Sequence, residues 1–227
     1  MVSAWRPPQI VFTIWAILAL IILSLVPQWL DGSFPIFTIL WIIVPLIAVL
    51  RTKDAGRVGF RAISWRQFLT TTAINLGGLL ILMLLFEPWS HTYQKLLAIV
   101  LSSQTPDTTF VWLLRFPRIP ALVGMVLYTG LVTLFGEELF FRGWLLQLLR
   151  RRLGSTWAVF LQAILFVIPN LLIAFALPPL QGMLYVLVYT WLGIGMLGGW
   201  AASRTGSIWP SLTSAVVCNL VLVAVIL

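Results

Sequence analysis

Histidine and cysteine are nearly missing from this chain, and acidic residues are scarce. Its 227 residues include one histidine (His91), one cysteine (Cys218) and six Asp or Glu. A lone cysteine excludes an intrachain disulfide, and a lone histidine excludes a metal site built on two imidazoles. Charged residues make up 9% of the chain, against about 25% in a soluble domain. No repeat with a period of 20–50 residues is visible, which excludes a solenoid. No low-complexity tract or linker separates two domains.

What remains is mostly apolar: 61% of the residues are hydrophobic. The composition predicts an all-α polytopic membrane helix bundle. Apolar runs place spans at about 10–26, 35–50, 68–86, 119–150, 157–177, 183–202 and 210–227, about seven transmembrane helices. The first run is too long for a signal-peptide core and is followed by Pro27-Gln28-Trp29 rather than small residues, so it reads as a span. The chain divides into a three-span segment, 1–118, with a basic loop and an external loop, and a four-span core, 119–227, in one structural bundle.

The net charge of +8 is spread over short loops, which argues against a nucleic-acid partner. The loop 51–66 carries Arg51, Lys53, Arg57, Arg61 and Arg66 against Asp54 alone. Arg150, Arg151 and Arg152 close the fourth span, and Arg204 follows the sixth. Seven spans put all of these on one side, which predicts a cytoplasmic N-terminus. The segment 87–117 lies outside, with a short surface helix over 93–101 and His91 as an interfacial residue. Gly154-Ser155-Thr156 reads as a turn in which Ser155 or Thr156 caps the next helix. Gly195, Gly199 and Ser203 form a small face for close helix packing.

Three ionisable residues stand inside the fourth span: Glu137, Glu138 and Arg142. A charged residue at a bilayer centre costs about 2.5–3.5 kcal/mol on an insertion scale, so each needs a partner or a role. Glu138 and Arg142, at i and i+4 with the acid first, predict a structural ion pair. Glu137 is turned off that face. Gly136 and Gly143 bracket the stretch and suit close helix approach or a local break. Asn170 in the fifth span and Asn219 in the seventh are the other deep polar groups. Glu137 with Asn170 and Asn219 reads either as a small reaction site, a base with two amide donors, or as interhelical hydrogen bonds that fix packing.

Glu137-Glu138-x-x-x-Arg142 resembles the first motif of the CPBP family, the CAAX proteases and bacteriocin-processing proteins, also called the Abi family. Phe166-Val167-Ile168-Pro169-Asn170 stands where that family has Phe-x-x-x-His. The run from Gly198 through Arg204-Thr205-Gly206-Ser207 to Pro210-Ser211 is similar to the lead into its last catalytic helix. There the family has His-x-x-x-Asn, and this chain has Ala215-Val216-Val217-Cys218-Asn219. Gly59-Phe60-Arg61 and Ser64-Trp65-Arg66 look like a basic lead-in found before a span in many members.

The resemblance implies an intramembrane endopeptidase, and a metalloprotease in some readings of the family. In it the residue matching Glu137 activates water with the second-motif histidine, while the last-motif histidine and asparagine stabilise the oxyanion. Glu137, Glu138, Arg142 and Asn219 match the motifs. Both histidine positions are replaced, by Asn170 and Ala215, and neither replacement takes up a proton. Two glutamates and two amides are a poor zinc set, and no cofactor is expected. The leading expectation is a degenerate member acting as a binding, scaffold or assembly factor. An active endopeptidase using Glu137, Asn170 and Asn219, and a small transporter, are the alternatives. Expected partners are membrane lipid, a membrane protein, or a peptide or prenyl substrate. The expected location is a prokaryotic plasma membrane or a thylakoid or other organellar membrane.

Overall fold

The computed structural model describes residues 35–102 and 135–226. Every regular element among them is helical. α1 is Pro35–Thr52, α2 is Trp65–Ser90 and α3 is Thr92–Ser102. α4 starts at Phe135–Glu137 and winds into a π-helical stretch, Glu138–Leu145. It runs on into α5, Leu146–Ala176, which breaks at Gly154, where φ is 77° and ψ 173°. α6 is Pro179–Thr205, with a second π-helical stretch at Tyr185–Leu197. α7 is Trp209–Ile226. The expected span at 10–26 and the first half of the expected fourth span lie outside the described residues.

Among the described residues three helices are long and apolar enough to cross a membrane: Trp65–Ser90, Phe135–Leu171 and Pro179–Thr205. Leu40–Thr52 and Trp209–Val221 are shorter apolar helices. Large apolar side chains such as Ile81, Leu84 and Phe175 face outward, as they do where hydrocarbon is the solvent. The chain is an integral membrane helix bundle.

Local chemistry sets the helix ends. Ser64 accepts the Gln67 N–H at 3.2 Å and starts α2. Gly206, with φ 68°, ends α6 as a left-handed cap whose N–H reaches the Ala202 carbonyl. The break at Gly154 falls where the turn is expected, and Ser155 is hydrogen-bonded to Ser203, 3.0 Å away on α6. The third span is longer than its apolar run suggests, because the helix continues through Glu87 and Pro88 to Ser90. Proline there forfeits one hydrogen bond near a helix end. Glu87 recovers more. Its carboxylate takes the Tyr93 N–H at 3.0 and 3.1 Å and the Gln94 N–H at 3.3 Å, at the start of α3, and the Tyr189 hydroxyl at 3.1 Å.

α6 is central: it lies along α5 on one side and α2 on the other, and α2 also packs along α7. The small face of α6 works as its spacing predicts. A Cβ at Gly195 would come within 3.0 Å of Ala163 Cβ, and one at Gly199 would meet Gln162 and Val159. The basic loop does more than carry charge. Its Ala55–Val58 turn is capped by Asp54, and Ala55, Val58 and Phe60 are buried with Phe135, Leu139 and Ile208. Phe60 meets Trp209 edge-on at 5.1 Å, and the Ile208 N–H donates to the Gly59 carbonyl at 3.0 Å. Only a glycine at 143 lets the loop seat this deeply, since a Cβ there would collide with the Val58 carbonyl oxygen.

Gly143→Ala should therefore destabilise the bundle by about 1–3 kcal/mol, the usual range for overpacking. Gly77→Ala is the control, because a Cβ there meets nothing within 4 Å. It should be neutral or stabilising by up to about 1 kcal/mol through helix propensity. Thermal unfolding of both variants in detergent reads the difference. Equal melting temperatures would mean that the loop is not seated against α4.

Candidate functional site

The expected ion pair forms. Arg142 Nη1 lies 3.5 Å from Glu138 Oε1, and the two side chains are 0% and 2% exposed. The pair does not stand alone. The Ser211 hydroxyl, on α7, donates to Glu138 Oε2 at 2.5 Å. Arg142 Nη2 donates to the Ile194 carbonyl of α6 at 2.7 Å. The guanidinium carbon sits 4.0 Å from the centre of the Phe166 ring on α5, a cation–π contact. One arginine thereby joins four helices. The spacing argument assumed an α-helix, whereas both the pair and Ile194 lie in π-helical stretches. π turns shift carbonyls out of the i to i+4 ladder and often mark functional positions.

Glu137 precedes the first π stretch and is half-buried. It lies within electrostatic range of Arg142, Glu138 and Tyr185. Among the described residues no hydrogen bond joins it to Asn170 or Asn219. Asn170 is committed elsewhere: its Nδ2 donates to the Phe166 carbonyl at 2.9 Å, and its Oδ1 accepts from the Tyr185 hydroxyl at 3.0 Å. Asn219 and Ala215 line a small cavity with Tyr189, Ile194, Leu79 and Cys218, of about 20 Å³. That is room for about one water. The apolar methyl of Ala215 stands where the resemblance expects an imidazole. His91, exposed at φ 50°, caps the end of α2.

The residues do not fit a resident metal. Among the described residues no three His, Cys, Asp or Glu side chains come together. The oxygens of Glu138 are engaged by Arg142 and Ser211, that of Asn170 is engaged by Tyr185, and Ala215 offers no donor. Zinc takes nitrogen, sulfur and carboxylate ligands at about 2.0–2.3 Å, and Glu137 alone is left to supply one.

Sequence reasoning missed four partners: Ser211, the Ile194 carbonyl, the Phe166 ring as a cation site, and Tyr185. Ser211 and Tyr185 carried a faint signal. Tyr185 and Tyr189 stand i and i+4 in an otherwise apolar span, so two hydroxyls share one face and need buried partners. Backbone and ring acceptors have no such mark.

Removing one member of a buried pair typically costs about 3–5 kcal/mol. Glu138→Gln and Arg142→Met should each lower the melting temperature in detergent, and the double variant should recover part of the loss. Ser211→Ala should cost less, about 1–3 kcal/mol, because the carboxylate keeps Arg142. Strictly additive losses in the double variant would mean that the pair contributes no coupling.

No curated protein and no solved structure matches the chain. A family model described as type II CAAX prenyl endopeptidase Rce1-like matches residues 119–221. The matched stretch holds Glu137, Glu138, Arg142, Asn170, Ala215 and Asn219 together. Over that stretch the chain is similar to the type II CAAX prenyl endopeptidase Rce1-like family, in line with the order of its motifs.

Proposed function

We propose that this protein is a catalytically degenerate CAAX-protease-like membrane protein that acts by binding. The observation that carries the proposal is the state of the two histidine positions. Asn170 has both ends of its amide engaged, by Phe166 and Tyr185, and Ala215 presents only a methyl. Hydrolysis of a peptide requires a group that takes a proton from water and returns it to the leaving amine. Among the described residues Glu137 is a carboxyl beside these positions that no ion pair or hydrogen bond engages, and it has no imidazole there to share that cycle. What it can do is hydrogen-bond a polar group that enters the bundle. Asn219, at the edge of an apolar cavity, is an amide of the same kind. Such a pair suits the end of a peptide, a lipid headgroup or a polar residue on a partner helix. The protein then serves as a binding, scaffold or assembly factor, with no metal in its site.

The deciding assay is cleavage of a prenylated peptide by the purified protein. Wild type should show no turnover above a Glu137→Gln control. Asn170→His with Ala215→His restores the family pattern, and adding Tyr185→Phe removes the hydroxyl that ties position 170 down. That triple variant should gain activity, since a working general base contributes about 10²–10⁴-fold. Clear wild-type turnover that vanishes in Glu137→Gln would overturn the binding reading. It would make Asn170 and Asn219 the donors of an unusual endopeptidase.

A further inference from the structure

The fold gathers the basic loops at one end. A Cβ at Gly206 would sit 3.6 Å from Arg61 Cδ and 3.7 Å from its Nη1, so the 51–66 loop covers the end of α6. Ser203 in the last turn of α6 holds Ser155, which brings Arg150, Arg151 and Arg152 to the same end as Arg204. Nine basic side chains and one acid, Asp54, therefore share this end. All of the nine except Arg150, which is half-buried, are exposed. Protein partners account for few of them. Arg57 lies 3.6 Å from Asp54, and Arg150 reaches Gln147 at 3.4 Å.

The opposite end is different. There Gln181 Nε2 donates to the Ser90 carbonyl at 3.0 Å, bringing the uncharged 177–182 turn against the junction of α2 and α3. Among the described residues Glu87 and Lys95 are its only full charges, and they cancel. The basic end also carries two large exposed indoles. Trp65 is 71% exposed and stacks on Phe68, and Trp157 is 64% exposed against Phe160. Exposed tryptophan on a membrane helix marks the headgroup level.

We propose that this end is a binding surface for anionic phospholipid headgroups, formed jointly by the 51–66 loop, Arg150, Arg151, Arg152 and Arg204. Eight of the nine cations are arginine, whose planar fork matches two phosphate oxygens at once. The surface lies outside the Glu137 region and does not depend on what that region binds. It goes beyond a topology signal, because orientation during insertion needs only charge near span ends. Here the folded contacts of Gly206 with Arg61 and of Ser203 with Ser155 bring separate loops into one surface.

The test is native mass spectrometry of protein from micelles holding equal amounts of phosphatidylglycerol and phosphatidylcholine. Wild type should retain the anionic lipid about tenfold over the zwitterionic one, the effect of one to two basic contacts. Arg150→Gln/Arg151→Gln/Arg152→Gln and Arg57→Gln/Arg61→Gln should each lower that preference severalfold, while Lys95→Gln, at the other end, should leave it unchanged. Equal retention of the two lipids by wild type would overturn the proposal, and that measurement stands even if a variant fails to insert. A preference that survives in both multiple variants would overturn the assigned surface. Displacement of the lipid by millimolar inorganic phosphate would show a site for free phosphate instead.

Discussion

Arg142 has no exposed surface, so its charge must be answered inside the bundle. Taking such an ion from water costs several kcal/mol even after relaxation, and only good geometry offsets it. Four helices converge to do so: Glu138 from its own helix, the Ile194 carbonyl, the Phe166 ring, and Ser211 through Glu138. Each contact fixes the depth of one helix relative to the others. The registry of α4 to α7 thus follows from a single cation.

The π-helical stretches belong to this account. A carbonyl inside a regular α-helix accepts from the N–H four residues on and is turned along the axis. Ile194 lies in the second π-helical stretch, where its oxygen keeps the bond from the Gly198 N–H, four residues on, and accepts from Arg142 as well. The irregular turns sit where α4 and α6 must exchange a polar contact. They are absent from α2, which carries no buried charge.

Local features were legible in the sequence, and long-range ones were not. The Glu138–Arg142 pair follows from spacing within one helix. The small face of Gly195, Gly199 and Ser203 follows from repetition every four residues, and both appear in the structure. Ser211 and Ile194 lie 73 and 52 residues from their partners and Tyr185 lies 15 from Asn170, and no local pattern links them. Glu87 was misplaced for a different reason. An acid followed by proline at the end of an apolar run looks like the start of a loop. Its reward, the N–H groups of Tyr93 and Gln94, exists only once α3 turns back against α2. The loop 51–66 was read through its charges, while its anchoring residues, Val58 and Phe60, are few and lack helical periodicity. Glu137, Asn170 and Asn219 lie half-buried on α4, α5 and α7. The commitment of Asn170 to Tyr185 was not visible.

Two adjacent glutamates meet opposite fates, and the reason is geometric. Successive residues on a helix point to different faces. Glu138 faces Arg142 and Ser211 and is consumed by the scaffold. Glu137 faces the side where Tyr185 and Asn170 stand and is left without a hydrogen bond to them. The scaffold and the polar region therefore share one motif but few contacts. Ala215 belongs to the apolar cluster with Ile42, Phe60 and Leu139, and Asn170 touches the network only through the backbone of Phe166. Side chains 170 and 215 make none of the contacts that answer the charge of Arg142, so the groups that hold α4 to α7 in register are distinct from those at the two motif positions.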